Sequence, residues 1–180
     1  MQRWALHPHP QFPAPAVRAV HASLSAVGQR VRISFEIDAD PRALSWPGPA
    51  VPAFRDGLWR HSCLELFATD AGQGYREFNF APSGEFAAYE FDAYRTGMRP
   101  LALGTPGILR GAGTDQLGIE VQMPAEWLGA ASVEPRAIGL TAVLEAINGS
   151  HSYWALRHPG DKPDFHHRDG FIAGWPPARA

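Results

Sequence analysis

Residues 59–68 read Trp-Arg-His-Ser-Cys-Leu-Glu-Leu-Phe-Ala, residues 75–81 read Tyr-Arg-Glu-Phe-Asn-Phe-Ala, and residues 85–92 read Glu-Phe-Ala-Ala-Tyr-Glu-Phe-Asp. Each stretch is short and rich in aromatic and apolar side chains, which is typical of β-strands. The joints between them contain the glycine and proline residues of tight turns. The three stretches therefore predict an antiparallel meander.

Further strand signals lie on both sides of this meander. Residues 31–37 alternate apolar and polar side chains, and residues 17–27 can pair with them through Gly28-Gln29. Residues 117–123 alternate in the same way, residues 137–147 end at the turn Asn148-Gly149, and weaker signals follow at 153–156 and 171–172. Pro124–Leu128 predicts a single helical turn. The sequence thus predicts an all-β fold with about 9–11 strands and at most one short helix.

The composition fits a two-sheet antiparallel β-sandwich, jelly-roll-like in its arrangement. Glycine and proline, 18 and 17 of 180 residues, suit short strands joined by turns better than long helices. The length predicts one domain, with an extended Pro-rich arm at 1–16, the sandwich at 17–175 and a tail at 176–180. Residues 39–57 contain four prolines and predict a long irregular connection.

Charge and cysteine content exclude several classes of protein. A formal net charge of −2 argues against binding to nucleic acid or to an anionic membrane surface. No apolar run is long enough for a membrane helix, and the N-terminus lacks the apolar stretch of a signal peptide. Cys63 is the only cysteine, so no internal disulfide can form. We therefore expect a bacterial-type cytoplasmic protein.

Strand alternation divides the meander into two faces. Leu64, Leu66 and Ala68 should face the core with Phe78 and Phe80. The opposite face should carry Trp59, His61, Cys63, Glu65 and Phe67 from one strand, and Tyr75, Glu77 and Asn79 from the next. Aromatic rings beside carboxylates and an amide are suited to a hydroxylated ligand, because rings stack on C–H faces and polar groups bind hydroxyls. The alternative is structural, with the carboxylates paired to arginines.

Three other groups of side chains have residue types that can do chemistry. His158, Asp164, His166, His167 and Asp169 could hold a divalent metal, but we favour a structural role in which His166 bonds a backbone carbonyl and pins its loop. Cys63 is too far along the strand from His61 for direct activation and should pack as a small apolar residue. Glu65 and Glu77 resemble the carboxylate pair of a glycosidase, but nothing marks either as the acid. We predict no catalytic and no metal-ligating residue.

Three motifs carry a family resemblance. Leu58–Phe67 resembles the W-x-x-D-x-x-E-x-F strand of the DOMON-like and carbohydrate-binding-module family 9-like β-sandwiches. Residues 75–84 resemble their Y-x-E-F-x-x-x-P-x-G hairpin, and residues 163–171 resemble their closing F-H-x-P-x-x-F-G element. The resemblance extends from about residue 17 to residue 175. It implies a sandwich that presents a ligand site on one sheet or at its edge.

Relatives in this family bind either sugars or haem b. For sugars, the resemblance implies two Trp rings and a Glu six residues after the first, which correspond to Trp59, Glu65 and either Trp154 or Trp175. Asn79 and Arg76 fall where hydroxyl-binding groups would lie, whereas Ser62-Cys63 replaces an aspartate of the pattern. For haem, a Met with a Lys or His would be the axial ligands. The candidates are Met98, Met123, Lys162 and the histidines, and the phase of Met123 predicts a core residue.

The sequence thus predicts a non-catalytic domain that binds a small molecule, most plausibly a carbohydrate, without a cofactor. The expected site comprises Trp59, Glu65, Arg76, Glu77, Asn79, Trp154 and His166. A haem b-binding electron-transfer domain and a protein–protein interaction module are the alternatives. The oligomeric state is left open.

Overall fold

The all-β class predicted from the sequence is confirmed. The structure is a computed structural model, and it describes residues 1–70, 72–112, 116–129 and 136–175, so the tail predicted at 176–180 lies outside the described residues. The described strands are β1 (Gln2–Pro8), β2 (Val17–Val27), β3 (Arg30–Ala39), β4 (Cys63–Thr69), β5 (Tyr75–Phe80), β6 (Phe86–Phe91), β7 (Arg99–Pro100), β8 (Gly107–Ala112), β9 (Gln116–Pro124), β10 (Arg136–Glu145), β11 (His151–Ala155) and β12 (Ala173–Trp175). Helical structure within the described residues is limited to four 3₁₀ turns of three or four residues. None of it is long enough to cross a membrane.

The strands form one curled antiparallel sheet, in the order β7-β6-β5-β4-β10-β11-β1-β2-β3-β9-β8, with β12 added beside β10. The order falls into two halves, one built around β4, β5 and β10 and the other around β2, β3 and β9. Strand β1 joins them: His7 pairs with Ala155 of β11, while residues 2–6 pair with β2. The sheet therefore folds over into a sandwich whose two layers are continuous through β1.

The local predictions for hairpins are confirmed. Strands β2 and β3 pair through the turn at Gly28, whose positive φ of 60° favours glycine, and β4, β5 and β6 form the expected meander. The stretch from 137 is a strand, β10, as its flanking Asn-Gly turn indicates. The predicted helical turn is the 3₁₀ turn Ala125–Leu128.

The N-terminal prediction needs correction. The first sixteen residues were expected to run over the surface as an arm outside the domain, yet residues 2–8 form β1 at the junction of the two layers. The arm was predicted from the prolines of this segment. They lie at the end of β1 and after it, from Pro8 onwards, where the missing backbone N–H of proline removes no hydrogen bond between strands. Leu6 is buried in the core between the layers.

The main hydrophobic core lies between the two layers. One layer contributes Leu64, Leu66, Phe78, Phe80, Leu140 and Ala142, and the other contributes Leu24, Ile33, Phe35, Ile37, Ile119, Val121 and Met123. These side chains come from alternate strand positions, which confirms the predicted core face and the core position of Met123. The predicted split between the two faces of the meander is therefore correct.

The opposite face of β4 and β5 is covered rather than solvated. A second, smaller cluster includes Cys63, Phe67, Tyr75, Tyr89, Phe91 and Phe171, with Trp59 and Phe165 packed against it. The cover comes from the 3₁₀ turn Leu58–Arg60 and from the loop between β11 and β12. Because these loops enclose the face, its polar side chains are buried among rings, and this arrangement creates the site described below.

A close backbone approach at Gly118 gives a direct test of the packing of β9 against β3. A Cβ added at Gly118 would collide with the carbonyl oxygen of Phe35, a backbone atom that cannot rotate away. We expect Gly118→Ala to lower the free energy of unfolding by ~1–3 kcal/mol. Gly111→Ala is the matched control, because its Cβ would lie 3.9 Å from the nearest backbone oxygen. Equal stability of the two variants in urea would contradict this packing.

Candidate functional site

A cavity of about 370 Å³ lies on the covered face of β4, β5, β10 and β11. Its volume falls in the range of small-molecule sites. Its aromatic lining residues are Trp59, Phe91, Tyr153 and Phe165, and its carboxyl groups are those of Glu65 and Glu77. The remaining lining residues are Val143, Pro163, Arg95, Met98 and His166. The cavity therefore combines apolar walls with a polar floor.

The polar floor comes from neighbouring positions on three strands. Glu65 of β4 is 2% exposed, and Glu77 and Asn79 of β5 are 4% and 0% exposed. Thr141 of β10 donates a hydrogen bond from its hydroxyl to Glu65 Oε2 over 2.9 Å, and Asn79 Nδ2 donates to Glu77 Oε1 over 2.7 Å. Asn79 Oδ1 accepts no hydrogen bond from the described residues. The floor thus contains two buried carboxyl groups and an unsatisfied amide oxygen.

The two carboxyl groups are poorly suited to carry full charge. Burial raises the pKa of Glu65 to about 8, with the charge of Glu77 adding to the rise and the bonds from Thr141 and Cys63 opposing it. Burial also raises the pKa of Glu77 to about 7, against the bond from Asn79 and the charge of Arg95. The pair therefore holds a proton near neutral pH, because desolvation penalises the charged form.

His166 closes one side of the floor. Its Nδ1 lies 2.7 Å from the Tyr75 hydroxyl, which also accepts a bond from the Arg95 backbone N–H. Burial lowers the pKa of His166 to about 4, so the imidazole is neutral at pH 7. This network is satisfied when Tyr75 donates to Nδ1 and the imidazole proton sits on Nε2, which lies 3.9 Å from Glu77 Oε2.

Two covering loops are tied together beside the cavity. Asp164 accepts hydrogen bonds from the Tyr94 hydroxyl, over 2.6 Å, and from the Arg95 guanidinium, over 2.9 Å. Arg95 has a φ of 52°, a conformation that non-glycine residues adopt at a cost in strain. These contacts hold Arg95 and the segment that bears Met98 against the loop that carries His166.

The aromatic walls are supported from behind. Trp59 packs edge-on against Tyr89 with ring centroids 5.8 Å apart, and Tyr153 packs edge-on against Phe165 at 6.0 Å. The Tyr89 hydroxyl donates to Asp56 over 2.6 Å, which fixes the ring beneath Trp59. Neighbouring rings therefore hold Trp59, Tyr153 and Phe165 in place around the cavity.

The structure brings together five of the seven residues expected from the sequence. Trp59, Glu65, Glu77 and His166 line the cavity, and Asn79 lies beside them, fully buried and bonded to Glu77. Trp59 lies in the 3₁₀ turn Leu58–Arg60, which precedes β4, and not in the strand itself, which begins at Cys63. His166 bonds a tyrosine hydroxyl, not the backbone carbonyl that we expected. Cys63 is buried, as predicted, and burial raises the pKa of its thiol.

Arg76 is a correction. The family resemblance placed it among the hydroxyl-binding groups, but on β5 it alternates with Glu77 and therefore points to the opposite face. Its guanidinium bonds Glu90 and the backbone carbonyl of Trp127, outside the cavity. Arg76 is a partner in a structural ion pair.

Trp154 is a second correction. The prediction that it shares a face with Trp59 is wrong, because it pairs with Ala142 of β10 and belongs to the main core, where it is 4% exposed. Its indole N–H donates to the Ser152 hydroxyl. The preceding residue, Tyr153, pairs with Val143 and lines the cavity. Trp175, the alternative second Trp, is also a core residue.

Sequence reasoning did not single out Tyr153, Phe165 or Arg95 as site residues. Tyr153 could have been found from strand alternation had the register of β11 against β10 been known. Phe165 and Arg95 lie on irregular loops, whose side chains have no periodic signal. Of the haem-ligand candidates, Met98 lines the cavity and Lys162 lies exposed outside it. Within the described residues, no group of three or more His, Cys, Asp or Glu side chains is placed to hold a metal ion.

Comparison with known proteins identifies similarity of structure but not of sequence. No family model and no curated protein matches the chain. A candidate carbohydrate-binding protein from Bacteroides uniformis ATCC 8492 superimposes with a TM-score of 0.67 at 12% identity, covering 95% of this chain and 84% of the other. At that identity, the similarity establishes a shared β-sandwich fold.

A carbohydrate binding module of family 9 from Caldicellulosiruptor kristjanssonii is also similar. Its structures with glucose and with cellotriose each give a TM-score of 0.46 at 8% identity. They cover 84% of this chain and 73% and 71% of the module, respectively.

Proposed function

We propose that this protein binds a carbohydrate in the cavity on the covered face of β4 and β5 and performs no chemistry on it. The observation that carries the proposal is the combination, within one cavity, of the Trp59 ring with buried carboxyl groups of Glu65 and Glu77. A sugar ring presents C–H faces that stack on aromatic rings and hydroxyls that need acceptors and donors. The Bacteroides uniformis protein that shares this fold is itself a candidate carbohydrate-binding protein.

Donors and acceptors for the hydroxyls are present on different sides of the cavity. Glu65 and Glu77 supply acceptors from the floor, and a carboxyl that holds a proton also supplies a donor. His166 Nε2 and the Arg95 guanidinium supply donors from the loops. Tyr153 and Phe165 provide apolar surface beside them. This arrangement suits one sugar ring held edge-on by polar groups and covered by aromatic ones.

Calorimetric titration with mono- and disaccharides tests the proposal, with Trp59→Ala as the key variant. Loss of a stacked ring should weaken binding at least about tenfold, which corresponds to ~1.4 kcal/mol. Trp127→Ala is the matched control, because Trp127 is also partly buried but packs against the main core. Absence of heat with every sugar, or an unchanged affinity in Trp59→Ala, would count against this site.

Haem b is the second candidate, because Met98 and His166 line the same cavity. These two residue types can act as axial ligands, and Tyr75 leaves His166 Nε2 facing the cavity. The floor is less suitable: Glu65 and Glu77 place buried carboxyl groups where an apolar macrocycle would lie. The residues present therefore fit a sugar better than a porphyrin. A Soret band after incubation with haemin, lost in His166→Ala, would reverse this ranking.

A further inference from the structure

The cavity contains two buried carboxyl groups that have no cationic partner among the described residues. Glu65 and Glu77 are both more than nine-tenths buried, and no described lysine or arginine forms an ion pair with either. His166, which is neutral, places its Nε2 atom 3.9 Å from Glu77 Oε2. Arg95 also lines the cavity, but its guanidinium bonds Asp164. Buried carboxylates are normally paired with a cation. In place of a cation, this pair holds a proton near neutral pH, and a bound cation would displace it.

The floor also lacks a hydrogen-bond donor. Asn79 uses Nδ2 to bond Glu77, and its fully buried Oδ1 is left without a donor. Glu65 lies directly opposite Asn79 on β4 and can donate a hydrogen bond only while it holds a proton, and the Thr141 hydroxyl already donates to Glu65. A buried acceptor without a donor costs ~1–3 kcal/mol. Asn79 Oδ1 has no accessible surface, so a ligand with several N–H donors would bind at the carboxyl oxygens of Glu65 and Glu77, which line the cavity.

The aromatic walls are suited to the same kind of group. Trp59, Tyr153 and Phe165 present rings around the floor, and Trp and Tyr faces attract cations within about 6 Å. The rings also keep water away, which strengthens the attraction between a cation and the carboxylates beneath.

We propose that the cavity selects a ligand with a protonated primary amine, such as an amino sugar, and holds the ammonium group at Glu65 and Glu77. This inference rests on the proposed carbohydrate function and specifies its ligand class. An ammonium has a positive charge and three N–H donors, enough for both of the carboxyl groups that line the cavity. A sugar hydroxyl has one donor and no charge, so it can satisfy only one of these acceptors.

The test compares glucosamine, glucose and N-acetylglucosamine by calorimetry at about pH 7, where most of the free amine is protonated and the carboxyl pair can release its proton. We expect glucosamine to bind about tenfold or more tightly than glucose, because charge-assisted bonds are stronger than neutral ones. N-acetylglucosamine, whose nitrogen is neutral, should show no such advantage. Glu77→Gln should reduce the advantage to less than about threefold, whereas the exposed control Glu36→Gln should retain it. Thermal melts verify that both variants are folded.

A second ligand pair separates this inference from the proposed function. Cyclohexylamine and cyclohexanol have the same ring and differ only in the amine. If glucose and glucosamine bind equally well, or if the preference survives in Glu77→Gln, amine selection is overturned and carbohydrate binding stands. If no sugar binds but cyclohexylamine binds more tightly than cyclohexanol, the carbohydrate proposal is overturned and amine selection stands. If none of the five compounds binds, both are overturned.

Discussion

At about pH 8, the Glu65→Gln variant is expected to unfold at a higher urea concentration than the unchanged protein. Burial raises the pKa of Glu65 in the folded state to about 8, above the value of about 4.5 in an unfolded chain. The folded state then holds a proton that the unfolded state has released, so the stability present at acid pH is lost as pH rises towards 8. The loss is about 1.4 kcal/mol per pH unit, several kcal/mol in all. The variant avoids this loss because the amide that replaces the carboxyl group is neutral at every pH.

The pH range of the comparison matters because the lowered pKa of His166 makes stability rise with pH, whereas the raised pKa of Glu65 makes it fall. The pKa of His166 falls to about 4 on folding, so between about pH 4 and 6.5 its contribution to stability rises with pH. Above about pH 6.5 that contribution is constant, and the fall due to Glu65 and Glu77 is left on its own. Urea titrations at about pH 6.5 and pH 8 should show a falling free energy of unfolding in the unchanged protein and a smaller fall in Glu65→Gln.

The control for this experiment is Glu120→Gln, which removes a carboxylate from β9, in the other layer. It should leave the pH slope unchanged, because a partly exposed carboxylate near Arg32 suffers little desolvation. If Glu65→Gln and Glu120→Gln show the same slope as the unchanged protein, then Glu65 is ionised in the folded state and the account of the cavity floor is wrong.

Phe78→Ala should be among the most destabilising single changes in the chain. The ring is 2% exposed and lies on β5 in the main core, opposite Leu66 of β4 and Ala88 of β6. Truncation removes buried apolar surface and leaves a cavity that the two sheet layers cannot collapse to fill. We expect a loss of ~3–5 kcal/mol in the free energy of unfolding, measured by urea denaturation.

Phe54→Ala is the matched control, since it makes the same chemical change at a ring that is 46% exposed. Phe54 contacts Phe86 and Tyr89 edge-on from a loop, so its loss should cost less than about 1 kcal/mol. Similar losses in the two variants would mean that Phe78 is not in the main core.

The alternation of residue types along β4 and β5 was sufficient to predict both faces of these strands. Leu64, Leu66 and Phe78 face the main core, and Glu65 and Glu77 face the cavity, as expected. This prediction works because the side-chain period of a strand is a fixed geometric property. The Asn-Gly turn likewise located the end of β10, because Gly149 has a positive φ of 81°, which glycine tolerates.

The position of Trp154 could not be obtained in the same way. Strand β11 has five residues, and both Tyr153 and Trp154 are aromatic, so composition does not say which one faces the core. The face is set by pairing with Ala142 and Val143 across the hairpin, a register that depends on the exact turn. Arg95 was harder still, since its loop is held by a tertiary contact to Asp164 that has no local sequence signal.

The position of β1 has a consequence for the order of events during folding. His7 pairs with Ala155, so the contact that joins the two layers connects residues that are far apart in the sequence. Residues 2–6 can pair with the nearby β2 early, whereas the pairing of His7 and Pro8 with β11 requires the intervening strands to be in place. Long-range pairing of this kind slows folding and leaves unpaired edges exposed in the meantime. The two halves of the sheet can therefore form before the junction between them does.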